Sequence, residues 1–283
     1  MLRPTLLLLC AQASNPEQTE CSDEQVVAAT VLEMIHMATL VHDDVLDEAE
    51  VRRGGETVNR RKGNEAAVIL GDYLISKSFH LCSGLDTQRT ALRVGEITSV
   101  VCEGEMLQNA HRGDMRLGER TYFDIIERKT AALIALACEL GAAHAGAGVR
   151  VQRELYEFGR LIGCAFQIQD DLLDLVGDES VVGKSLGRDV AKGTLTLPLI
   201  HHLASLPARE RAEAEAALGP AASLNGRRAA LVARLHETAS IEHARSVAFG
   251  MVQSAKERLT CLPESIACAT LHEIADAVVA RAF

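Results

Sequence analysis

Three aspartates at the end of an apolar segment are the first residues in this sequence whose types and spacing suggest chemistry. Residues 36–47 read His-Met-Ala-Thr-Leu-Val-His-Asp-Asp-Val-Leu-Asp, and the pair Arg52-Arg53 follows. Residues four, seven and eleven apart share one face of a helix, so His36, Asp43 and Asp47 form a single stripe. Because a helix C-terminus carries partial negative charge, these carboxylates need a compensating cation. A divalent metal ion and the arginines are the candidates, and the alternative is a solvated acidic helix end.

A second segment repeats the same pattern. Residues 167–174 read Gln-Ile-Gln-Asp-Asp-Leu-Leu-Asp, and Lys184, Arg188 and Lys192 follow. Magnesium takes oxygen ligands and usually binds through a few carboxylates plus substrate phosphates. Arginine and lysine side chains bind phosphate oxygens. Two acidic segments, each with basic residues downstream, therefore predict a diphosphate site with Mg²⁺ between the carboxylates.

The composition predicts an all-α protein with a large core. The chain has 283 residues, of which 48% are hydrophobic and only 3% aromatic, and strand-like alternation is hard to find. A single large helical bundle covering residues 1–283 fits this length. The two acidic helices suggest two halves that face each other across a central apolar cavity. The net charge of −10 argues against a nucleic-acid surface.

The cysteines and the first residues bear on the compartment. The eight cysteines are scattered singly, without a Cys-x-x-Cys pair, and we expect free thiols in a reducing environment. Residues 1–14 mimic a signal peptide, but their apolar run is short and Pro4 suits the first turn of a helix. We therefore expect a helix there and a cytoplasmic protein. No other segment approaches the ~18 unbroken apolar residues of a membrane span, so we expect no transmembrane segment.

Apolar periodicity and capping signals divide the chain into long helices. They are predicted at residues 4–13, 23–47, 64–85, 88–110, 119–144 and 149–176. Asp23 is expected to cap the second of these, and residues 54–63 are expected to form a loop. Lys129 enters an apolar stretch, where a lysine either extends to the surface or points at a ligand. For Glu103 and Glu105 the alternatives are an exposed helix face and a functional role.

Together these motifs resemble those of the trans-isoprenyl diphosphate synthases, or polyprenyl synthetases. The resemblance runs from Arg3 to about His202. Besides the acidic motifs it rests on Gly63-Asn64, Gly71-Asp72-Tyr73, Gly104-Glu105, Lys129-Thr130, Phe166-Gln167, Gly183-Lys184 and Thr196-Leu197-Pro198. It implies the isoprenoid synthase fold and a Mg²⁺-dependent, head-to-tail condensation of isopentenyl diphosphate onto an allylic diphosphate.

The resemblance also implies a role for each matching residue. The principal magnesium ligands, counted as catalytic, would be Asp43, Asp47 and Asp170. The aspartates that would assist directly or through water are Asp44, Asp171 and Asp174. The residues expected at the allylic diphosphate, of which the two lysines are also counted as catalytic, are Arg52, Lys129, Thr130, Gln167 and Lys184. Those expected at the isopentenyl diphosphate are Arg3, His36 and Arg53.

Two departures from the family pattern qualify these roles. The family usually has Gly-Lys-Arg ahead of its Arg-Pro pair, whereas this chain begins Met1-Leu2-Arg3-Pro4, so the N-terminus is expected to be shortened. Thr194 stands where the family usually has a lysine. The family also implies a homodimer, for which the helices of residues 64–110 are candidates. Small residues at Ala38 and Thr39 predict a product of about twenty carbons or longer, because no bulky ring blocks the channel there.

Two alternatives to a prenyltransferase remain. A class I terpene cyclase shares the fold and the first acidic motif, but such enzymes usually carry an Asn/Ser/Glu triad in place of residues 170–174. A non-catalytic partner subunit is compatible with the missing lysines. Since both acidic motifs are complete, we favour an active prenyltransferase over either.

Overall fold

The chain is almost entirely helical. The computed structural model describes residues 1–18, 20–52, 54–85, 87–177, 186–218 and 228–280. In the first part of the chain the helices are α1 (Leu2–Ser14), α2 (Asp23–Leu46), α3 (Val58–Lys62), α4 (Asn64–Cys82), α5 (Arg89–Ala110), α6 (Glu119–Ile126), α7 (Ala132–His144) and α8 (Val149–Val176). Later helices are α9 (Arg188–Ala191), α10 (Leu197–Ser205), α11 (Ala208–Leu218), α12 (Arg228–Glu237), α13 (Ser240–Arg258) and α14 (Ile266–Val279).

Three short elements interrupt this succession. The strands β1 (Val51–Arg52) and β2 (Gly55–Glu56) form an antiparallel hairpin in which Arg52 pairs with Gly55. A π-helical turn, Glu127–Ala131, joins α6 to α7. A 3₁₀ turn, Leu259–Cys261, follows α13. The hairpin and α3 occupy the stretch predicted as a loop, so that prediction was wrong for residues 58–62.

Residue contacts group the chain into two compact units. The first comprises Met1–Ser99, Leu133–Gly159 and Arg258–Leu271, and the second comprises Val100–Ala132, Arg160–Glu257 and His272–Phe283. Each unit contains one of the two acidic motifs. The expectation of a single domain stays a prediction.

In the first unit, α2 packs against α1 and α4. Its N-cap is Ser22, whose side chain accepts from the Gln25 N–H while the Gln25 side chain accepts from the Ser22 N–H. This capping box corrects the prediction that Asp23 caps the helix, because Ser22 can satisfy a free backbone N–H one residue earlier. At the other end, α4 passes so close to His42 that a Cβ on Gly71 would overlap the imidazole ring.

Helix α2 is also the one helix in the described part of the chain that is long and apolar enough to cross a membrane. In its apolar window, 44% of the residues are buried inside the protein. Glu33 and His36 interrupt the apolar sequence. Buried residues and internal polar groups are typical of a core helix, and the absence of a membrane span stays a prediction.

In the second unit, α5 and the π turn approach each other closely. A Cβ on Gly104 would lie 2.6 Å from the backbone nitrogen of Lys129 and 2.8 Å from the Cβ of Arg128. Only glycine permits this distance, because any larger residue would push the two backbones apart. The close approach places the π turn and its side chains against α5.

Candidate active site

The first acidic motif lies at the C-terminal end of α2, where the protein itself holds one of the three aspartates. Asp44 is only 5% exposed, and the Nε of Arg52 lies 2.7 Å from its Oδ1 in an ion pair. Arg52 lies on β1, the first strand of the hairpin, and the chain then turns at Gly54, whose φ of 77° suits glycine. Asn59 Nδ2 donates to the carbonyl oxygen of Asp44 at 3.1 Å. A predicted metal ligand is thus joined to a predicted diphosphate-binding residue.

The other two aspartates of this motif share one helix face. Asp43 and Asp47 are both half-buried, and they lie one turn apart, about 6 Å along the axis. The Asp47 N–H donates to the Asp43 carbonyl at 2.8 Å and ends the helix. Beside them, the Nε2 of His42 lies 3.1 Å from the carbonyl oxygen of Val68 on α4. This contact anchors the end of α2 and so fixes the face on which the two carboxylates lie.

The second acidic motif, in the last turns of α8, is arranged differently. Asp170 is exposed, whereas Asp171 is only 4% exposed. Tyr122 OH donates to Asp171 Oδ2 at 2.6 Å, and Gln167 Nε2 donates to Asp171 Oδ1 at 2.8 Å. Burial and the neighbouring Asp189 raise the pKa of Asp171 well above its ordinary value, while the two hydrogen bonds oppose this shift. Among the residues that the structure describes, neutral donors and not a cation hold this carboxyl group.

The third aspartate of the second motif receives backbone donors. Asp174 Oδ1 accepts from the Arg188 N–H at 3.3 Å, and Oδ2 accepts from the Asp189 N–H at 3.1 Å. The Gly187 N–H donates to the Asp174 carbonyl at 2.8 Å. Burial raises the pKa of Asp174, and burial together with Asp174 raises the pKa of Asp189 to about 7. These contacts hold the start of α9 against the end of α8.

The π turn displays two predicted substrate-binding residues in the second unit. Thr130 Oγ1 donates to Gln167 Oε1 at 2.9 Å. Lys129 Nζ donates to Gln108 Oε1 at 2.7 Å and forms an ion pair with Glu105. Single π turns inside helices occur frequently at functional sites. Thr130 and Gln167 are therefore brought together, and the adjacent Lys129 has an anionic partner on α5.

Of four other predicted site residues, two lie on helices and two lie outside the described part of the chain. Arg3 lies in the first turn of α1 and is half-buried. His36, also half-buried, lies on α2, seven residues or about 10 Å along the axis before Asp43. Arg53 and Lys184 lie outside the described residues.

Sequence reasoning left the role of Glu105 open and missed two further residues, Gln108 and Tyr122. Glu105 and Gln108 lie one turn apart on α5 and both contact Lys129. Their spacing of three and the glycine that precedes Glu105 were the available signals. Tyr122 lies in α6 and contacts Asp171. An aromatic residue on the buried face of an amphipathic helix gives no sequence signal of a hydrogen bond, so this contact was not predictable.

The carboxylates suit a hard divalent cation bound together with a phosphate ligand. Among the described residues, no three His, Cys, Asp or Glu side chains converge tightly enough to hold a metal ion on their own. Magnesium is usually bound by one or two carboxylates, several waters and substrate phosphates. Asp43 and Asp47 in the first unit, and Asp170 in the second, each offer carboxylate oxygens of the kind that this mode requires. Asp44, Asp171 and Asp174 instead make hydrogen bonds or ion pairs within the protein.

Comparison with known proteins places this arrangement in a class of helical enzymes. The fold is similar to that of a decaprenyl diphosphate synthase from Rhodobacter capsulatus, with a TM-score of 0.91, 34% identity, and coverage of 98% of this chain and 84% of that one. It is also similar to a polyprenyl synthase from Caulobacter crescentus, with a TM-score of 0.91 and 31% identity over 99% of this chain and 84% of that one. These similarities confirm the predicted all-α fold class.

The sequence comparison defines the family. Residues 1–234 match the model described as polyprenyl synthetase. The chain is 36% identical over 277 residues to heptaprenyl diphosphate synthase component 2 of Geobacillus stearothermophilus, covering 97% of this chain and 83% of the relative. It is 33% identical over 267 residues to octaprenyl diphosphate synthase of Haemophilus influenzae, covering 93% and 79%. The chain belongs to the polyprenyl synthetase family.

Proposed function

We propose that this chain, a prenyltransferase by its family, condenses isopentenyl diphosphate onto an allylic diphosphate to give a trans-polyprenyl diphosphate. The observation that carries the proposal is the group of Lys129, Thr130 and Gln167 in the second unit, close to the second acidic motif. A cation, a hydroxyl and an amide in one place are suited to bind the oxygens of a diphosphate. Relatives named as heptaprenyl and octaprenyl diphosphate synthases support the same reaction class.

The residues would divide the work of the condensation. Cleavage of the allylic carbon–oxygen bond leaves an allylic cation and a diphosphate anion, and Lys129 and Arg52 would stabilise the developing negative charge. Thr130 and Gln167 would orient that diphosphate. Divalent metal ions, for which we propose Mg²⁺ at Asp43, Asp47 and Asp170, would supply further charge stabilisation. The remaining predicted contacts, to isopentenyl diphosphate, are those of Arg3, His36 and Arg53.

The apolar residues of α2 support a product of about twenty carbons or longer. At ~1.5 Å per residue, Thr39 and Ala38 lie about 6 and 7.5 Å before Asp43 along the axis. Ala38 is fully buried, and the larger Ile35 and Leu32, also fully buried, lie deeper on the same helix. We infer that the growing chain passes Ala38 and that a phenylalanine there would shorten it, because a ring in a packed channel leaves no room for further isoprene units. An unchanged product length in Ala38→Phe would contradict the inference that the growing chain passes Ala38.

We also propose a homodimer in the cytoplasm. On α4, the consecutive residues Val68, Ile69 and Leu70 are 42%, 67% and 36% exposed. Contiguous exposed apolar side chains of this kind mark interaction surfaces. The relative named as a "component 2" makes a heteromeric partner the second candidate. Light scattering of the purified chain at micromolar concentration distinguishes the two, since a monomer would contradict the homodimer.

One assay tests the reaction. Purified protein would be incubated with labelled isopentenyl diphosphate, an allylic diphosphate and Mg²⁺, and the products would be separated by chain length. Elongated prenyl diphosphates are expected. A cyclic hydrocarbon would favour the terpene cyclase, and no product without an added partner subunit would favour the non-catalytic component.

A further inference from the structure

A continuous hydrogen-bonded chain of four side chains runs through the second unit. Tyr122 OH donates to Asp171, Gln167 donates to the other oxygen of the same carboxyl group, and Thr130 donates to Gln167, at 2.6, 2.8 and 2.9 Å respectively. Tyr122 is 3% exposed and Asp171 is 4% exposed. Both carboxyl oxygens of Asp171 therefore accept from side chains. Asp171 thus links Tyr122 to Gln167 through its two carboxyl oxygens.

These hydrogen bonds determine the orientation of the Gln167 side-chain amide. A glutamine amide has a donor end and an acceptor end, and its partners determine which way it faces. Both oxygens of Asp171 accept hydrogen bonds, so the Nε2 end of the Gln167 amide faces Asp171. The Oε1 then faces Thr130 and accepts from its hydroxyl. The second N–H of the amide remains as a donor for a ligand oxygen.

The Tyr122 hydroxyl group, at one end of this hydrogen-bonded network, is a donor held in a fixed position. It donates to Asp171 Oδ2 at 2.6 Å, a distance typical of a strong hydrogen bond to a carboxyl oxygen. The Tyr122 ring meets the Phe123 ring edge-on, with centroids 5.4 Å apart and planes at 72°. The ring is thus held in place independently of the hydroxyl group.

We propose that Tyr122 is a positioning residue for the allylic diphosphate: through Asp171 it fixes the Gln167 amide and the Thr130 hydroxyl on the π turn. This inference rests on the proposed function, which places Gln167 and Thr130 at that diphosphate. Tyr122 itself need not touch substrate. Its effect should therefore fall on one substrate and not on the other.

The test removes the hydroxyl and keeps the ring. Tyr122→Phe should raise the KM for the allylic diphosphate about tenfold, as expected for losing one hydrogen bond to a charged group, and should leave the KM for isopentenyl diphosphate within about twofold. Tyr73→Phe, the same change at a side chain that is 61% exposed on α4, is the matched control and should change neither constant. Equal increases in both KM values, or kinetics like those of the control, would overturn the proposal.

A double-mutant cycle tests the route of the effect. If Tyr122 acts through Gln167 and Thr130, Tyr122→Phe combined with Thr130→Val should raise the allylic KM by less than the product of the two single effects. Multiplicative effects would show that the two residues act independently and would overturn the route. If Tyr122→Phe does not fold, Asp171→Asn is the second variant, and the same selective rise in the allylic KM is expected. A rise in both KM values in that variant would count against the proposal.

A binding measurement separates this proposal from the proposed function. Inorganic diphosphate with Mg²⁺ should raise the unfolding temperature of the wild-type protein, because a ligand that binds only the folded state stabilises it. The rise should be smaller in Tyr122→Phe than in Tyr73→Phe, and equal rises would overturn the positioning role. A wild-type protein that forms no prenyl product would instead reject the proposed function, and this comparison would still be measurable.

Discussion

The two acidic motifs have the same residue pattern but different internal partners. In the first, the buried Asp44 is paired with a cation, Arg52, at 2.7 Å. In the second, the equally buried Asp171 is held by neutral donors, Tyr122 and Gln167. In the first motif the middle aspartate forms an ion pair with Arg52. In the second motif it hydrogen-bonds to Gln167, a predicted substrate-binding side chain. The same spacing of aspartates thus does not imply the same role for the middle residue.

The largest expected effects come from the first aspartate of each motif, where the two should behave alike. Asp43→Asn and Asp170→Asn should each lower kcat by about 10³-fold, because each removes an oxygen donor for the cation that stabilises the leaving diphosphate. Steady-state kinetics at saturating Mg²⁺ measure this. Asp23→Asn, at the exposed other end of α2, is the matched control. Normal turnover in either active-site variant would remove that residue from the ligand set.

The middle aspartates should then differ. Arg52→Gln leaves the buried Asp44 without its cation and should lower the free energy of unfolding by about 2–3 kcal/mol. Combining it with Asp44→Asn should restore part of this loss, since two neutral amides can hydrogen-bond. Denaturant unfolding measures both variants. A loss below about 0.5 kcal/mol for Arg52→Gln would mean that the ion pair does not distinguish the first motif.

A smaller effect concerns two glycines at close contacts between elements, Gly71 of α4 beside the first acidic motif and Gly104 of α5 beside the π turn. Gly71→Ala overlaps His42, and Gly104→Ala meets the backbone at Lys129. Each should cost about 1–3 kcal/mol of unfolding free energy through overpacking. Gly250 in α13 has nothing within 4 Å of an added Cβ. Gly250→Ala should therefore stabilise the protein by about 0.5–1 kcal/mol, and a similar gain at Gly71 or Gly104 would contradict the close approach.

The smallest expected effect distinguishes two neighbouring ion pairs beside the π turn. The Glu103–Arg128 pair, 2.7 Å apart, has side chains that are 52% and 39% exposed. Glu103→Gln should change the unfolding free energy by less than about 1 kcal/mol and leave the kinetics unchanged. Glu105→Gln removes the anionic partner of Lys129 and should alter the KM for the allylic diphosphate. Identical kinetics in both variants would show that Glu105 does not position Lys129.

Local sequence patterns predicted most of the long helices to within a few residues. The predicted helix at 149–176 agrees with α8, and the helix predicted at 119–144 agrees with α6, the π turn and α7 together. Apolar periodicity is a property of neighbouring residues and is readable without the fold. The Ser22 cap was missed by one residue because Asp23 is an equally good capping type.

Features that depend on distant residues could not be predicted. The π turn at 127–131 lies against Gly104, more than twenty residues away in the chain. The Asp44–Arg52 ion pair depends on the β1–β2 hairpin, and strands of only two residues give no recognisable sequence pattern. The Tyr122–Asp171 hydrogen bond joins residues 49 positions apart. In each case a contact between separate elements decides the local geometry.

The π turn has a consequence for how this region tolerates changes in length. A π turn amounts to one residue more than an α-helix of the same span would contain. Deleting a single residue from a regular α-helix rotates the residues beyond the deletion by about 100° around the axis. Here the π turn, Glu127–Ala131, can revert to α-helical geometry and take up most of that rotation, whereas an inserted residue would add a second extra residue to the same short segment. Single deletions between Tyr122 and Lys129 should therefore disturb the packing of α7 less than single insertions at the same place.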